Sequence, residues 1–205
     1  MKKKRVDEYM IYITGDCHGN FERFNASIFP EQNEMTKADY IIICGDFGGV
    51  WNKDGESKME TMVLDWLDCK SFTTLFVDGN HENFDRLNTY PVEEWHGGKI
   101  HRIRPSVIHL SWWKEELPSE KEMDEGRMNL QRYDNKVDFI ITHCASSSTA
   151  ALISHGIYES DFLTAYLEEI RQSVKFKKWF FGHYHNNRNV NAEEILLWEQ
   201  IIRIS

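Results

Sequence analysis

The feature that most constrains this 205-residue chain is a pattern that recurs five times. Each copy is a short run of apolar, β-branched or aromatic residues that leads into polar residues able to bind a metal ion. Runs of this length and continuity are typical of strands that are buried on both faces. The five predicted strands are Met10–Thr14, Tyr40–Cys44, Thr74–Asp78, Val137–Thr142 and Trp179–Phe181.

The spacing of the first three runs predicts that their strands are parallel. Asp16 and Asp46 are 30 residues apart, and Asp46 and Asn80 are 34 apart, whereas a strand–helix–strand unit takes about 30 residues. Right-handed crossovers would bring the three strands into one sheet in the same direction. Since ligands bind at the carboxyl ends of such strands, we expect the loops that follow them to form one site.

Helix-like stretches and further strands complete an α/β pattern. The predicted helices are Glu22–Phe29, Glu56–Cys69, Glu120–Arg132 and Asp161–Val174. The Arg104-Pro105 pair predicts a turn between strands Lys99–Ile103 and Ser106–Leu110. The segments Ile195–Trp198 and Gln200–Ile204 could close a second sheet. Because no repeat or linker interrupts the chain, we predict a single domain over residues 1–205.

Composition narrows the classes of function. An apolar content of 41% is enough for a core at this length. The net charge of −9, with Lys2–Arg5 as the only cationic run and expected to be a solvated terminus, argues against an extended nucleic-acid surface. No run approaches the roughly 20 apolar residues that cross a bilayer, and no signal peptide is evident. Because no CxxC pair occurs, reduced thiols and a cytoplasmic location are expected.

The polar residues after the five strands form a set of metal-ligand types. Mixed carboxylate, imidazole and amide donors suit divalent Mn, Fe, Zn, Ni or Co. The set is too large for one tetrahedral ion with an open position, and it suits two ions that share a carboxylate. Such a pair, with ions roughly 3.5–4 Å apart, supports phosphoryl displacement by a hydroxide nucleophile. The seven candidate ligands are Asp16, His18, Asp46, Asn80, His143, His183 and His185.

Other polar residues near these ligands have more than one interpretation. His81 follows Asn80 directly, and in an extended loop its side chain points the other way. It would then be free to protonate the leaving oxygen as a general acid. Arg188 could contact a substrate phosphate or be ordinary surface charge. Glu82 is predicted to form a hydrogen bond within its own loop.

Several residues near the motifs have interpretations that involve no metal. Cys17 and Cys144 lie beside candidate ligands and are predicted to be small buried side chains. The pair Trp112-Trp113 could cover the site, although packing is the preferred interpretation. His109 and His155 have no evident partner in the sequence. These residues are not needed for the two-ion interpretation.

Taken in order, the motifs resemble the signature of the calcineurin-like metallophosphoesterases. The likeness runs from Asp16 to His185 through the runs GDCHG, GDFG, GNHE, a strand followed by His143, and GHYH. It implies a two-sheet mixed β-sandwich flanked by helices, with the active site at the C-terminal strand ends. It also implies hydrolysis of a phosphate ester by a bridging hydroxide at two divalent ions, for which Mn²⁺ is the expected metal.

The resemblance also assigns roles to individual residues. The counterparts of Asp16, His18 and His185 hold one metal in that family, and those of Asn80, His143 and His183 hold the other. The counterpart of Asp46 bridges the two ions. The counterpart of His81 assists the leaving group. Asp46 and His81 are therefore the expected catalytic residues, and Asn80, His81 and Arg188 are expected to bind the substrate.

Two departures from the family pattern affect the expected function. The run after Asp46 lacks the second Asp, often followed by Arg, that the Ser/Thr protein phosphatase branch uses. A small molecule or nucleotide is therefore the expected substrate rather than a protein. The junction between Leu110 and Ser111 is abrupt, since similar sequences continue there with another hairpin. We hypothesise that a segment is missing, which would shorten one sheet edge and alter the floor of the pocket.

Two alternatives to hydrolysis of a simple phosphate ester stay open. One is a phosphodiesterase that acts on nucleotides or nucleic-acid ends, since the same metal centre would serve that reaction. The other is a metal-binding scaffold with weak catalysis. The abrupt junction after Leu110 is the sole support for the scaffold, and the intact ligand set argues against it.

Overall fold

The structure is a computed structural model that describes residues 9–110, 115 and 117–205. In this part of the chain, strands form two sheets and five α-helices flank them. The strands are β1 (Ile11–Thr14), β2 (Tyr40–Ile43), β3 (Thr73–Phe76), β4 (Val92–Trp95), β5 (Gly98–Arg104), β6 (Val107–His109), β7 (Phe139–Ile141), β8 (Lys178–Phe181), β9 (Arg188–Asn189), β10 (Glu194–Leu196) and β11 (Ile202–Arg203). The helices are α1 (Lys58–Asp68), α2 (Phe84–Leu87), α3 (Glu120–Gln131), α4 (Ser147–Ser154) and α5 (Phe162–Ser173).

Both sheets are mixed, as the sequence predicts. The larger sheet has the strand order β11-β1-β2-β3-β6-β5-β4, and the smaller has the order β7-β8-β10-β9. Strands β1, β2 and β3 are parallel, which confirms the prediction from their spacing. Strands β5 and β6 form the predicted antiparallel pair. Strands β7, β8 and β10 are parallel, so β7 and β8 end on the same side of the smaller sheet.

Three apolar clusters show how the layers pack. The cluster between the two sheets combines Ile13, Ile42 and Leu75 of the larger sheet with Phe180 of the smaller one. A second cluster lies on the outer face of the larger sheet and includes side chains of α1. A third lies between the smaller sheet and α5. The two mixed sheets flanked by helices therefore confirm the predicted fold class.

Helix boundaries follow local capping. Helix α1 begins after Ser57, whose hydroxyl accepts from the Glu60 N–H while the Glu60 carboxylate accepts from the Ser57 N–H. The predicted helix over 22–29 is wrong, because only a 3-10 turn forms at Glu22–Phe24. Asn25 ends that turn in an extended conformation. Pro30 starts the next turn, and a proline disfavours helical geometry in the residue before it.

The C-terminal segments divide between the two sheets. Strand β10, within the region predicted to join a second sheet, pairs with β8 in the smaller sheet. The prediction for Gln200–Ile204 is wrong, because β11 pairs antiparallel with β1 in the larger sheet. The reason is that Ile202 and Ile204 pack against the apolar cluster between the sheets from the β1 side. This pairing covers an edge that β1 would otherwise leave open.

Strand β7 is the first strand of the smaller sheet and the first strand to follow the abrupt junction in the described chain. In the described part of the chain it pairs on one side alone, with β8. Its three residues are half-buried rather than buried. The hypothesis of a missing segment after Leu110 therefore stays a prediction. The predictions for Trp112-Trp113 and for Lys2–Arg5 lie outside the described residues.

Two observations concern the cysteines and the helices' ability to cross a membrane. The four cysteines, Cys17, Cys44, Cys69 and Cys144, form no disulfide. In the described ranges, none of the helices combines the length and the apolar character needed to cross a membrane.

Candidate metal centre

The seven predicted ligands come from five loops that meet at one end of the sandwich. Strands β1, β2 and β3 lead into Asp16, Asp46 and Asn80, and β7 leads into His143. Strand β8 leads into the loop with His183 and His185. The larger sheet thus contributes both carboxylates, and the smaller sheet contributes three of the imidazoles. Their convergence results from the parallel strands in each sheet.

One group of donors consists of Asp16, His18 and His185. Their donor atoms lie close enough together for these residues to hold one ion. The two Nε2 atoms of His18 and His185 are 3.0 Å apart, and His185 Nε2 is 3.2 Å from Asp16 Oδ2. Asp16 is buried while both imidazoles are exposed. This group therefore has a buried carboxylate as its floor and an open side toward solvent.

A second group consists of Asn80, His143 and His183. Asn80 Oδ1 is 2.9 Å from His143 Nε2 and 3.1 Å from His183 Nδ1. The two imidazole nitrogens are themselves 3.2 Å apart. The other ring nitrogen of His143, Nδ1, lies 2.9 Å from the Cys44 carbonyl oxygen and donates its proton there. When the ring is neutral, that bond leaves His143 Nε2 with its lone pair directed at the group.

Asp46 lies between the two groups. Its Oδ2 is 3.5 Å from His18 Nε2 on one side and 3.3 Å from His143 Nε2 on the other. Its Oδ1 accepts a hydrogen bond of 2.7 Å from the His81 N–H, which fixes the carboxylate plane. Asp16 also approaches an imidazole of each group, at 3.2 Å from His185 Nε2 and 3.6 Å from His143 Nδ1, but that His143 nitrogen is bound to the Cys44 carbonyl, whereas Asp46 faces Nε2 of both His18 and His143.

The ionisation states of these residues follow from burial and from their neighbours. Burial of Asp46 favours the neutral acid, but the hydrogen bond and charge of His143 outweigh it and lower the pKa of Asp46 to about 2. Burial raises the pKa of Asp16. Burial, together with the charge of His143, lowers the pKa of His183 to about 4. Neutral imidazole and ionised Asp46 are the forms that bind cations.

The backbone at four of the ligand positions has left-handed φ angles. These are 47° at His18, 48° at Asp46, 70° at His183 and 45° at His185. Such conformations are uncommon for residues other than glycine, and they persist where surrounding contacts hold them in place. The strain therefore coincides with the candidate ligands, and it is not visible in the sequence pattern.

Two glycines allow the loops to approach one another closely. A Cβ built on Gly182 would lie 2.0 Å from Asp16 Oδ1, and one built on Gly79 would lie 2.2 Å from the Asp46 N and Oδ1 atoms. At Gly182 the β8 loop packs directly against the β1 loop. The next residue, His183, donates its N–H to both oxygens of Asp16 at 3.0 Å. These glycines are required for space rather than for positive φ.

The predicted general acid and the predicted substrate arginine differ in their positions. The exposed ring of His81 lies beside the ring of His18, with centroids 5.3 Å apart, at the open side of the centre. Arg188 is exposed at the start of β9, the edge strand of the smaller sheet. Within the described residues, no hydrogen bond or ion pair links Arg188 to a candidate ligand. Its role in substrate binding stays a prediction.

Two residues that sequence reasoning missed hold the ligands in place. The Arg23 guanidinium donates to the main-chain oxygens of Gly15, Asp16 and Trp198 at 2.6–3.2 Å. It thus ties the Asp16 loop to the C-terminal segment. The Trp198 ring stacks on His185 with centroids 5.6 Å apart. The Arg23–Trp198 contact joins residues 175 apart, and the motif pattern gives no signal for it or for the stacking of Trp198 on His185.

Two predictions near the centre need correction. Glu82 does not bond within its own loop, since its Oε1 accepts from the Phe47 N–H of the β2 loop. Burial raises the pKa of Glu82 well above its usual range. His109 does have a partner, because its Nε2 lies 2.6 Å from Asp78 Oδ1. Both contacts cross between strands that are far apart in sequence.

The cysteines beside the ligands are placed as packing residues. Cys17 is buried, and burial raises the pKa of its thiol to about 12. Cys144 also has a pKa raised to about 12 by burial. A thiol binds a metal as the thiolate. Neither cysteine belongs to a candidate metal-binding group within the described residues.

The residues present fit two divalent ions. Nitrogen and oxygen donors converge in two groups, and Asp46 contacts an imidazole of each. Carboxylate, imidazole and amide donors are the mixture that borderline divalent metals take. The groups share a buried floor of Asp16, Asp46 and His143. An arrangement with this much imidazole and so few cationic neighbours suits a cation better than an anion.

Comparison with known proteins agrees with this geometry. The family model described as calcineurin-like phosphoesterase matches residues 9–187. The chain is also similar to lariat debranching enzyme A of Xenopus laevis, with 30% identity over 115 residues. Lariat debranching enzymes of Danio rerio and Drosophila melanogaster are 25% and 28% identical over matches of similar length.

These similarities differ in how much of each protein they cover. The three matches to the debranching enzymes each cover 50% of this chain and only 19–20% of the relative. The family model, by contrast, spans all seven candidate ligands. The chain therefore belongs to the calcineurin-like phosphoesterase family, whose members are hydrolases that act on phosphoester bonds.

Proposed function

We propose that this protein hydrolyses a phosphate ester at a centre of two divalent ions, with Mn²⁺ as the expected metal. The observation that carries the proposal is the position of Asp46, whose Oδ2 lies 3.5 Å from His18 Nε2 and 3.3 Å from His143 Nε2. A carboxylate between two groups of imidazole and oxygen donors is suited to bridge two ions.

The proposed ligand sets follow the two groups. Asp16, His18 and His185 would hold one ion, Asn80, His143 and His183 would hold the other, and Asp46 would contact both. When bound, the two ions would supply a nucleophilic water of lowered pKa and would neutralise charge on the phosphoryl oxygens. The protein's own contribution is to fix the donors, through the Cys44 carbonyl at His143 and through Arg23 at the Asp16 loop.

His81 is the proposed general acid. Its ring is exposed beside His18, where a leaving group would lie once the phosphate sits on the metal centre. Its N–H is bound to Asp46 Oδ1, so the backbone is fixed while the ring stays free. Proton donation to the leaving oxygen typically contributes about 10²–10⁴-fold in rate. Asn80 and His81 would contact the substrate, and Arg188 is a further proposed contact.

A phosphodiester of nucleic acid is the second candidate substrate. Its support is the similarity to relatives named lariat debranching enzymes. The net charge of −9 argues against binding of a long nucleic acid. A short branched or terminal phosphodiester would need few phosphate contacts, and it is the form of this candidate that fits the charge.

The test is hydrolysis of para-nitrophenyl phosphate and of bis-para-nitrophenyl phosphate by metal-stripped protein, before and after addition of Mn²⁺. We expect Mn²⁺ to restore cleavage, and the preferred ester distinguishes a monoesterase from a diesterase. Asp46→Asn should lose both activity and one or two metals per chain. His81→Asn should lose about 10²–10⁴-fold in kcat with metal content unchanged. Two bound metals without cleavage of either ester would contradict the proposal.

A further inference from the structure

A cavity of about 720 Å³ opens beside the second donor group. Asn80, His143 and His183 line one end of it, so it is continuous with the proposed metal centre. From there it follows β7, all three residues of which line it. Its position therefore places any bound molecule in reach of both the metal centre and the sandwich interior.

Apolar side chains form the walls of this cavity. The larger sheet contributes Trp95 and Ile100, and α5 contributes Leu167 and Ile170. These walls lie on either side of β7, whose outer edge pairs with no strand of the described chain. Small-molecule sites are typically clefts of about 300–1,000 Å³ that are lined by apolar residues with a few convergent polar groups. The polar groups at the metal end are Asn80, His143 and His183, and the lining also includes the charged residues Lys99, Glu159 and Asp161.

Exposed apolar side chains lie at or next to the cavity lining, together with the charged Glu159 and Asp161. Tyr158 lines the cavity, and its ring centroid lies 6.5 Å from that of His183. Tyr158 and its neighbour Ile157 are 50% and 81% exposed. Leu117, which also lines the cavity, is 42% exposed. Exposed apolar side chains beside a cleft mark a surface that binds an apolar group.

We propose that the cavity binds the apolar substituent of the substrate, and that the substrate is a phosphate ester with an extended alkyl or acyl group. The phosphorus would lie at the donor groups and the hydrocarbon would lie along β7. The inference rests on the proposed function for the position of the phosphate. The polar end and the apolar length of the cavity match such an amphiphile, whereas a sugar phosphate would leave the walls of Ile100 and Leu167 in contact with hydroxyl groups.

Binding of alkylphosphonates to the Mn²⁺-loaded protein tests this without turnover, because a phosphonate has no ester bond to hydrolyse. Titration calorimetry should show affinity rising from ethylphosphonate to hexylphosphonate. Burial of each methylene is worth about threefold to fourfold, so the four added groups should give roughly a hundredfold. The KM values of the matching alkyl phosphates should fall in the same order.

Variants of the cavity wall supply the controls. Ile140→Asn places an amide on the half-buried β7 wall, and it should reduce the hexyl-to-ethyl affinity ratio by about tenfold. Leu130→Trp narrows the cavity from α3 and serves if Ile140→Asn does not fold. Leu152→Asn, at an exposed leucine of α4 outside the cavity, should leave the ratio unchanged.

Equal affinities for ethylphosphonate and hexylphosphonate in the unaltered protein would overturn the proposal. So would a dimer that protects β7 from hydrogen exchange, since a second copy rather than a substrate would then occupy the cavity. Failure to hydrolyse any ester would count against the proposed function alone. In that case the ratio of the hexylphosphonate affinity to the ethylphosphonate affinity, which needs no turnover, still tests whether the cavity binds an alkyl group.

Discussion

The two sheets supply the metal centre in different ways. In the larger sheet, β1, β2 and β3 each have a strand on both sides, and they lead into Asp16, Asp46 and Asn80 from nearly complete burial. In the smaller sheet, β7 pairs with one strand of the described chain and has half-buried residues, and it leads into His143. The oxygen donors thus rest on a rigid frame, while His143 depends on contacts that cross between the sheets.

Two hydrogen bonds at the metal centre illustrate these crossing contacts. The His143 Nδ1 atom binds the Cys44 carbonyl of the β2 loop, and the His183 N–H binds Asp16 of the β1 loop. The metal centre is therefore also a place where loops of the two sheets are held together, and we call it the joint between the sheets. A bound ion would add coordination bonds across this joint, and it should stabilise the smaller sheet more than the larger one.

The largest loss of activity is expected from filling the space between the β8 loop and the β1 loop. Gly182→Ala would place a Cβ 2.0 Å from Asp16 Oδ1, so the β8 loop must move away from the β1 loop. We expect phosphoesterase activity to fall by about 10²-fold or more, because a displacement of 1 Å at a reacting centre costs about that much in rate. Gly98→Ala, whose added Cβ would lie 3.8 Å from the Trp95 carbonyl oxygen, should retain activity. Near-normal turnover in Gly182→Ala would show that the joint is not tight.

The next effect concerns the residue that ties the Asp16 loop to the C-terminal segment. Arg23→Gln removes donors to the oxygens of Asp16 and Trp198, and metal affinity should fall about 10–100-fold. Metal titration by calorimetry measures it. Arg203→Gln, at an exposed arginine of β11, is the matched control. Unchanged affinity in Arg23→Gln would mean that the Asp16 loop holds its shape without the arginine.

The sequence predicted much of the larger sheet and less of the joint. The apolar runs at strand–helix–strand spacing predicted β1–β3 and the loops that follow them, since this information is local. The left-handed φ at Asp46 and His183, the Arg23 bonds and the Glu82–Phe47 contact were not predictable, because each depends on partners that only the folded chain brings together. The helix predicted over 22–29 failed for a local reason, the extended Asn25, that apolar spacing does not reveal.

Metal removal should separate the two sheets in hydrogen exchange. Stripping the ions is expected to speed exchange at Ile140 and Thr142, in and after β7, by about tenfold more than at Ile42 of β2. The reason is that the ions bind only the folded joint, so their loss favours local opening where fewer other contacts remain. Hydrogen exchange measured by NMR tests this, with one sample that holds Zn²⁺ in place of Mn²⁺ and one that holds no metal. Equal acceleration in both sheets would remove the proposed difference in rigidity.

The smallest effect concerns Glu60, which supports the rigid frame from behind the Asp46 loop. Its buried carboxylate accepts from the N–H groups of Trp51 and Asn52 and pairs with Arg86 at 2.8 Å. Burial opposes ionisation, but the hydrogen bonds outweigh it and lower the pKa of Glu60 to about 2. Glu60→Gln should therefore reduce the free energy of unfolding at pH 7 by about 1–2 kcal/mol.

The sign of the pH dependence follows from that lowered pKa. A carboxylate with a folded pKa of about 2 and an ordinary pKa near 4.5 in the unfolded chain stabilises the protein above pH 4.5. That contribution is lost as pH falls toward 2, so the difference between Glu60→Gln and the unaltered protein should shrink over this window. Denaturant melts at several pH values measure it, with exposed Glu125→Gln as the control. A difference that stays constant down to pH 2 would show that packing of the side chain, rather than its charge, holds the Asp46 loop to α1.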